Sequence, residues 1–362
     1  MEVRSAHRSE RDEVLELLGH WYDDRGEFFA RYNHNDPWFR DELCLVARDG
    51  GRLASTVQIF DRAVNLDGQS VPMGGIGSVF TLEEYRHKGV ASELMRLAVD
   101  TMVRERFEVS LLFAERLTFY NQFGWREVER KLSILAAASS LNVLDRFVID
   151  SFETERDLDE IAAIHPGYSG RFNVTAVRDD SAWRANLKFA GNQLLHPGEG
   201  SEEPGEGSEE YFVVCRDGAR IAAYARVTRF HGVSMVMEFG YVPDAADAML
   251  ATFKYLGQSA AGVPVTVRRV GGHRRASLLH SPSKPEEPSV LVTHTAHDPA
   301  LEKALGDAGC PVAHHVDNNY MWRVLAPDKL ARRFAMAPEA ASAHAFEIFA
   351  DSRSVFWTAD RF

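Results

Sequence analysis

The chain has 362 residues, and at roughly 100–200 residues per domain this length predicts two or three domains, each able to bury its own core. Its hydrophobic content of 45% and charged content of 26% are ordinary for a folded soluble protein and exclude wholesale disorder. The net charge of −12 disfavours nucleic acid as the main partner, because phosphate backbones are bound by positive surfaces. Half of that charge lies in residues 199–210, which contain six glutamates and no basic residue, so charge supports only a weak preference for cationic substrates.

Cysteine usage and the N-terminus predict the compartment. The three cysteines, Cys44, Cys215 and Cys310, lie far apart and form no C-x-x-C pair, which indicates a reducing environment. The N-terminus is charged from its second residue and lacks the apolar core of a signal peptide. The sequence contains no run of 18 consecutive apolar residues, which is the length that would span a membrane. We therefore expect a cytoplasmic protein with neither a membrane nor nucleic acid as a partner.

The first 140 residues predict one mixed α/β unit. A strand around Val3 precedes a helix whose apolar residues recur at helical spacing. Later strands are predicted at residues 43–48, 53–65, 71–81, 109–113 and 131–137, with a helix at residues 90–106, and two Asp-Gly turns join the first three of these strands.

The same order of elements then begins again. A strand at residues 147–151 and a helix after Thr154 are followed by a second meander over residues 211–242 and a helix at residues 245–256. An internal duplication at a spacing of roughly 150 residues explains this pattern. We therefore predict a first domain at residues 1–140, a second at residues 141–325 and an extension at residues 326–362. The aromatic residues near the end of the extension predict a docked tail, because frayed ends are usually polar.

The segment at residues 74–97 carries the clearest chemistry. A strand runs into the sequence Arg86-His87-Lys88-Gly89-Val90-Ala91, where a helix begins. Glycine at this junction lets the backbone approach an anion, and the first amides of the helix then face that anion beside three basic side chains. This pattern predicts a pyrophosphate cradle. The P-loop and dinucleotide fingerprints are absent, which disfavours nucleotide hydrolysis and Rossmann-type binding.

Two motifs together resemble those of the GCN5-related N-acetyltransferases (GNAT). The family pattern Q/R-x-x-G-x-G/A after the fourth strand is met by Arg86, Gly89 and Ala91. Its aromatic-Tyr pair before a Phe-Gly-aromatic triplet is met by FYNQFGW at residues 119–125. The resemblance implies an α/β fold with a mixed sheet.

Two tandem modules with a C-terminal extension resemble the enhanced-intracellular-survival (Eis-like) acetyltransferases. That resemblance implies a catalytic first module, a degenerate second module and a homo-oligomer, up to a hexamer. In the second module the corresponding loop has no Arg and no Gly, and its two Asp residues would repel pyrophosphate, so we expect no cofactor there. Because fewer than 40 residues follow Leu325, the sterol-carrier-like third domain of that family is expected to be truncated or absent.

The family resemblance also implies acetyl-CoA as the cosubstrate, with no metal. Backbone groups of Val79, Phe80 and Thr81 would pair with the pantetheine arm, and an amide near Phe80 would polarise the thioester carbonyl. The remaining predicted cofactor-binding residues are those of the cradle, namely Arg86, His87, Lys88, Gly89, Val90, Ala91 and Ser92.

Tyr120 is the predicted acid that stabilises the leaving thiolate. With a phenol pKa of ~10 and a thiol pKa of ~8.5, full proton transfer costs about 2 kcal/mol. The base is predicted by resemblance to be the C-terminal carboxylate of Phe362. A carboxylate pKa of ~3.5 lies about seven units below that of a free amine, so it would orient the ammonium or relay its proton through water, even if burial raised it by 3–5 units. Glu115 is the alternative base, and ordinary packing is the alternative role for Tyr120.

An acceptor pocket is predicted from the acidic and aromatic residues of the first helical region. These residues are Trp21, Asp23, Asp24, Glu27, Phe28, Phe29, Trp38 and Phe39. Such side chains suit a cationic amine like a polyamine or an aminoglycoside, although plain helix packing explains each of them equally well. The predicted function is transfer of acetyl from acetyl-CoA to a primary amine. The alternative is a non-catalytic acyl-CoA or ligand sensor on the same fold.

Overall fold

A computed structural model describes residues 1–20, 27–114, 116–135, 137–189, 209–230, 233–260, 290–293 and 295–360. The strands are β1 Glu2–Ser5, β2 Cys44–Asp49, β3 Arg52–Leu66, β4 Gln69–Thr81, β5 Val109–Phe113, β6 Arg126–Leu135, β7 Phe147–Ser151, β8 Glu209–Asp217, β9 Arg220–Phe230, β10 Val233–Tyr241, β11 Val290–Thr293 and β12 Val312–Val324. The helices are α1 Arg11–Gly19, α2 Glu27–Asn35, α3 Val90–Arg104, α4 Leu117–Asn121, α5 Thr154–Ser169, α6 Asp180–Phe189, α7 Ala246–Ala260, α8 Pro299–Asp307, α9 Pro327–Phe334 and α10 Pro338–Ala350.

All twelve strands form one mixed sheet, which confirms the predicted fold class. The strand order is β1-β2-β3-β4-β5-β12-β6-β11-β10-β9-β8-β7. Two neighbouring pairs, β4 with β5 and β10 with β11, are parallel, and the others are antiparallel. The strand order is symmetric about the pair β12 and β6. The strands β1 to β5 of the first half lie on one side of this pair, and the strands β11 to β7 of the second half lie on the other, which fits the predicted duplication.

The two halves exchange their last strands. β12 pairs with β5, with Tyr320 opposite Phe113, whereas β6 pairs with β11, with Leu135 opposite Val290. β6 and β12 also pair with each other and so join the halves. The boundaries at residues 140 and 325 remain a prediction about chain order, because each half of the sheet is completed by a strand of the other.

The core under β4 and β5 fixes where α3 begins. Val90, Leu94 and Met102 of α3 are buried against the sheet. Gly74 on β4 permits this close approach, because a Cβ there would lie 2.6 Å from the sulfur of Met102. The helix α3 therefore packs closely against β4, and its N-terminus lies near the C-terminal end of that strand.

Several predicted elements agree with the structure and a few differ. The predicted helix at residues 90–106 is observed as α3, and the strand at residues 109–113 is observed as β5. The strand predicted at residues 131–137 instead begins at Arg126, and residues 27–35, which showed weak periodicity, form a helix. Cys44, Cys215 and Cys310 are buried free thiols. Within the described residues, every helix is too short or too polar to cross a bilayer.

Candidate active site

An opening lies between β4 and β5. The two strands pair in parallel only from Met73 with Val109 to Ile76 with Leu112, although β4 continues to Thr81. Beyond Ile76, no described residue of β5 pairs with β4. The last part of β4 therefore pairs with β3 on one edge only, and its other edge, on the side of β5, presents main-chain groups toward a gap in the sheet; this part is called the free end of β4.

A β-bulge in β4 shapes that free end. Gly77 lies opposite Gln58 and Phe80 lies opposite Thr56, so two residues of β4 face the single residue between Thr56 and Gln58. Ser78, in the bulge, has φ of 50°, in the left-handed region that a residue with a side chain seldom adopts. Bulges re-aim strand groups and are frequent beside active sites. The predicted residues Val79, Phe80 and Thr81 all follow this bulge.

The loop before α3 leaves the start of the helix open. His87 and Gly89 have φ of 62° and 83°, and the carbonyl of Gly89 accepts the first helical bond, from the amide of Glu93 at 3.0 Å. The amides of Val90, Ala91 and Ser92 therefore have no helical acceptor, and they have no other backbone acceptor in the described part of the chain. Three unpaired donors at the positive end of a fifteen-residue helix form an anion site.

The basic side chains of this loop divide their roles. The Nε of Arg86 donates to the carbonyl of Thr81 at 3.0 Å and so fastens the loop to the end of β4. His87 and Lys88 are exposed beside the open amides, and Lys88 Nζ lies 5.5 Å from the ring centre of Tyr85. Val90 is buried, so only its amide is available to a ligand. The predicted cradle residues are thus brought together, with Arg86 bound to the backbone.

Tyr120 lies on α4, which follows the end of β5. Its ring packs against the same hydrophobic cluster as Val79 from the free end of β4, and it meets Phe119 edge-on at 4.9 Å. Within the described residues its hydroxyl makes no hydrogen bond. Burial raises the pKa of Tyr120 to about 12, with Arg116 acting weakly in the opposite direction. The phenol therefore keeps its proton across the physiological range.

The Phe-Gly-Trp triplet has a structural part in the site. The indole of Trp125 donates to Ser110 Oγ at 3.2 Å, and that hydroxyl donates to the carbonyl of Gly74 at 2.6 Å. Arg323, from β12, donates to the carbonyl of Phe123 and lies over the Trp125 ring at 5.2 Å. The segment that carries Tyr120 is thereby tied to β4, β5 and the exchanged strand.

Residues 2–128 match the sequence model of the acetyltransferase (GNAT) domain. This part of the chain is therefore similar to GNAT acetyltransferase domains. The match contains the open end of β4, the cradle and Tyr120. No curated protein matches the sequence significantly.

Solved structures extend the likeness to nearly the whole chain. A protein from Enterococcus faecalis V583, described as a probable N-acyltransferase, has a TM-score of 0.64 at 15% identity, over 90% of this chain and 72% of that one. Eis1 from Mycobacterium abscessus has a TM-score of 0.57 at 13% identity, over 92% of this chain and 76% of that one. N-myristoyltransferase from Saccharomyces cerevisiae, solved with bound myristoyl-CoA and inhibitors, has a TM-score of 0.52 at 11% identity, over 89% and 80%. At these identities the likeness establishes the shared fold.

The second half has a different strand-to-helix junction from that of the first half. Only residues 242–245 separate β10 from α7, whereas residues 82–89 separate β4 from α3. Asp247, in the first turn of α7, pairs with Arg146 at 3.1 Å. Beside this junction, Phe239 of β10 packs on Trp357 at 5.1 Å. That the second module binds no cofactor remains a prediction, consistent with this short acidic junction.

The other predicted site residues are placed as follows. Phe362, Glu115, Trp21, Asp23 and Asp24 lie outside the described residues. Glu27 and Phe28 belong to α2, and Phe29 is buried.

Trp38 and Phe39 both have cationic partners within the protein. The guanidinium of Arg62 lies 5.4 Å from the ring of Trp38, and that of Arg11 lies 4.9 Å from the ring of Phe39. Both contacts are of the kind that packing alone would produce. Their part in an acceptor pocket stays a prediction. No group of three or more potential metal ligands occurs in the described part of the chain.

Proposed function

We propose that this protein is an N-acetyltransferase that moves acetyl from acetyl-CoA to a primary amine of a small cationic acceptor, of the polyamine or aminoglycoside type. The observation that carries the proposal is the adjacency of the free end of β4, which has no β5 partner, and the open N-terminus of α3. An extended arm can pair with the strand while a diphosphate occupies the helix start. This combination of a free strand edge and an open helix start fits coenzyme A better than a nucleoside triphosphate, because the P-loop lysine that binds triphosphates is absent from the sequence.

The residues of the cradle suit a diphosphate on physical grounds. The amides of Val90, Ala91 and Ser92 donate from the positive helix end, and His87 and Lys88 add exposed positive or protonatable groups. A yeast neighbour of the same fold was solved with a bound acyl-CoA, which supports an acyl-CoA cosubstrate here.

The proposed reaction is direct transfer. A neutral amine attacks the thioester carbonyl, and an amide near Phe80 stabilises the oxyanion of the tetrahedral intermediate. When the carbon–sulfur bond breaks, Tyr120 donates a hydrogen bond to the leaving thiolate. A phenol with a pKa of about 12 lies about 3.5 units above a thiol, so complete proton transfer would cost about 5 kcal/mol. Tyr120 is therefore proposed to act by hydrogen bonding in the transition state, with the proton lost from the amine finally reaching the thiolate through solvent.

The C-terminal carboxylate of Phe362 is the proposed group that orients the acceptor ammonium before it loses its proton, or that relays this proton to solvent. The docking of the preceding tail supports this role. Phe356 is buried and its ring lies 6.0 Å from that of Phe113, the last residue of β5 beside the opening. The described tail thus passes beside Phe113, next to the β4–β5 gap.

A chain extended by three glycines after Phe362 is expected to lose turnover by about 100-fold, the usual scale of a positioned proton-transfer group. The extension keeps every side chain but moves the carboxylate. Glu115→Gln is expected to keep turnover within about twofold of the parent, since general acid–base groups contribute far more than this. Thiol release from acetyl-CoA with spermine and kanamycin as acceptors measures both. The opposite pattern, a silent extension and an inactive Glu115 variant, would transfer the role to Glu115.

The second candidate is a non-catalytic acyl-CoA sensor. The short, acidic junction of the second half supports this candidate, because it differs from the cradle of the first half. Saturable binding of acetyl-CoA without thiol release for any amine of a broad panel would favour the sensor. Sustained thiol release with one of them would favour the enzyme.

A further inference from the structure

A short segment of the second half lies between the first half and the C-terminal tail. Residues 173–177 run beside the end of β3, where the amide of Asn65 donates to the carbonyl of Thr175 at 2.9 Å. At the other side of this segment, the amide of Val355 donates to the carbonyl of Asn173 at 2.9 Å. The tail is thus joined to the first domain through a strip of backbone, and the next residue after that strip is Arg178.

Arg178 is the centre of a buried ion network. Its Nε donates to Asp360 at 2.8 Å, and its two terminal nitrogens donate to the two oxygens of Glu238 on β10 at 2.9 and 2.7 Å. The side chains of Arg178, Glu238 and Asp360 are only 3%, 0% and 6% exposed. The guanidinium also lies 4.5 Å from the ring centre of Trp183. A cation held bidentately on one carboxylate, and stacked on a ring, presents its remaining edge in a fixed direction.

That remaining edge holds Asp360. The other oxygen of this carboxylate, Oδ2, is buried and has no hydrogen-bond partner among the described residues. A buried carboxylate needs a paired cation, and removal of that cation leaves a charge that must regain water. Without Arg178, Asp360 would therefore tend to leave its place and take the end of the tail with it.

The position of Asp360 limits the position of Phe362. Phe362 lies two residues after Asp360, and two residues span at most about 7 Å between Cα atoms. Upstream, the tail is held separately by Trp357, whose indole donates to Ser169 Oγ at 3.0 Å. The last described turn is thus fastened at both of its ends, by Trp357 and by Asp360.

We propose that Arg178 is a positioning residue for acyl transfer: it holds Asp360, and through it the C-terminal carboxylate, at the acceptor side of the site. This inference rests on the proposed role of that carboxylate. It gives the second half of the chain a part in the reaction, because Arg178 and its anchor Glu238 both belong to that half. Arg178 itself touches neither substrate, and its effect passes through the tail.

The test compares Arg178→Met with a chain that ends at Asp360, alone and combined, in thiol release from acetyl-CoA with spermine as the acceptor. Each single change is expected to lower kcat by about 100-fold, since misplacement of a reacting group by about 1 Å costs that much. The KM for acetyl-CoA is expected to stay within about twofold, because the cradle lies on other elements. The double variant is expected to be no slower than the truncated chain, because both changes remove the same function.

An independent readout follows the tail itself. In Arg178→Met, backbone amides at residues 354–360 are expected to lose protection from hydrogen exchange, while those of α3 keep theirs. Arg146→Met is the matched control: it removes a half-exposed ion pair with Asp247 in the same half and should change neither kcat nor tail protection. If Arg178→Met does not fold, Asp360→Asn keeps the pair between Arg178 and Glu238 and should reproduce the loss of turnover.

The outcomes separate the two proposals. A folded Arg178→Met protein with wild-type kcat and an intact tail, beside an inactive truncated chain, would overturn the positioning role and leave the carboxylate role standing. The positioning role is overturned in the same way if the losses of the two single variants multiply in the double variant. If instead the truncated chain keeps full turnover, the carboxylate role is wrong and the positioning role falls with it.

Discussion

Tyr120→Phe is expected to lower kcat by about 100-fold while leaving the KM for acetyl-CoA within about twofold, at the lower end of what a general acid contributes. The ring that packs against Phe119 and the cluster under β4 is retained, so binding and fold should survive. What is lost is the hydroxyl proton that is proposed to lie beside the thioester sulfur. Steady-state thiol release with a saturating amine measures this directly.

The pH dependence of kcat provides a second test of the role of Tyr120. Because burial raises the pKa of Tyr120 from its ordinary value near 10 to about 12, its acid form persists through pH 10. The wild-type kcat should therefore show no tyrosine-dependent fall between pH 8 and about pH 10. Tyr85→Phe is the matched control: Tyr85 packs against the same cluster, and its hydroxyl donates to Asp49 at 3.2 Å, away from the proposed chemistry. Equal turnover in the Tyr120 and Tyr85 variants would contradict the acid role.

Gly89→Val is expected to weaken acetyl-CoA binding by more than tenfold. An L-residue in the left-handed region costs about 1–2 kcal/mol, and a β-branched one more, so the loop should relax away from its φ of 83°. A relaxed loop moves the amides of Val90, Ala91 and Ser92 that are proposed to hold the diphosphate. Space alone would not cause the loss, because a Cβ at this position meets no atom within 4 Å.

A matched variant separates strain from binding. Gly218, between β8 and β9, also has a positive φ, of 63°, and also has no atom within 4 Å of an added Cβ. Gly218→Val should lower the melting temperature much as Gly89→Val does, and leave acetyl-CoA binding unchanged. Similar affinity losses in both variants would attribute the effect to general destabilisation rather than to the cradle.

The local features of the site could be predicted from sequence because they depend on neighbouring residues. The junction from β4 to α3 needs a glycine with a positive φ, and Gly89 marks it. Alternating and helical periodicities located the strands and α3 to within a few residues. The FYNQFGW segment predicted Tyr120 in a short stretch that follows β5, and Tyr120 is observed on α4, which follows that strand.

The features that escaped prediction depend on residues far apart in the chain. The contact of Arg323 with Phe123 and Trp125 joins positions about 200 residues apart, and no local sequence pattern predicts it. Strand exchange has the same origin, since β6 and β12 would satisfy either half and their pairing depends on the whole sheet. The bounds of α2 within the first helical region were not predicted, because its aromatic and polar residues have modest helix propensity and its contacts with α1 and α6 stabilise it instead. The buried ion network of Arg178 could not be predicted from sequence, because an arginine that precedes an acidic helix start is typical of an exposed surface charge.

Calorimetric titration of the unaltered chain with acetyl-CoA tests the central claim most directly. The open start of α3 beside the free end of β4, together with the short acidic junction before α7, predicts one bound equivalent per chain, lost on Gly89→Val and kept on Gly218→Val. Absence of binding would contradict the account, as would two equivalents per chain or undiminished binding by the Gly89 variant.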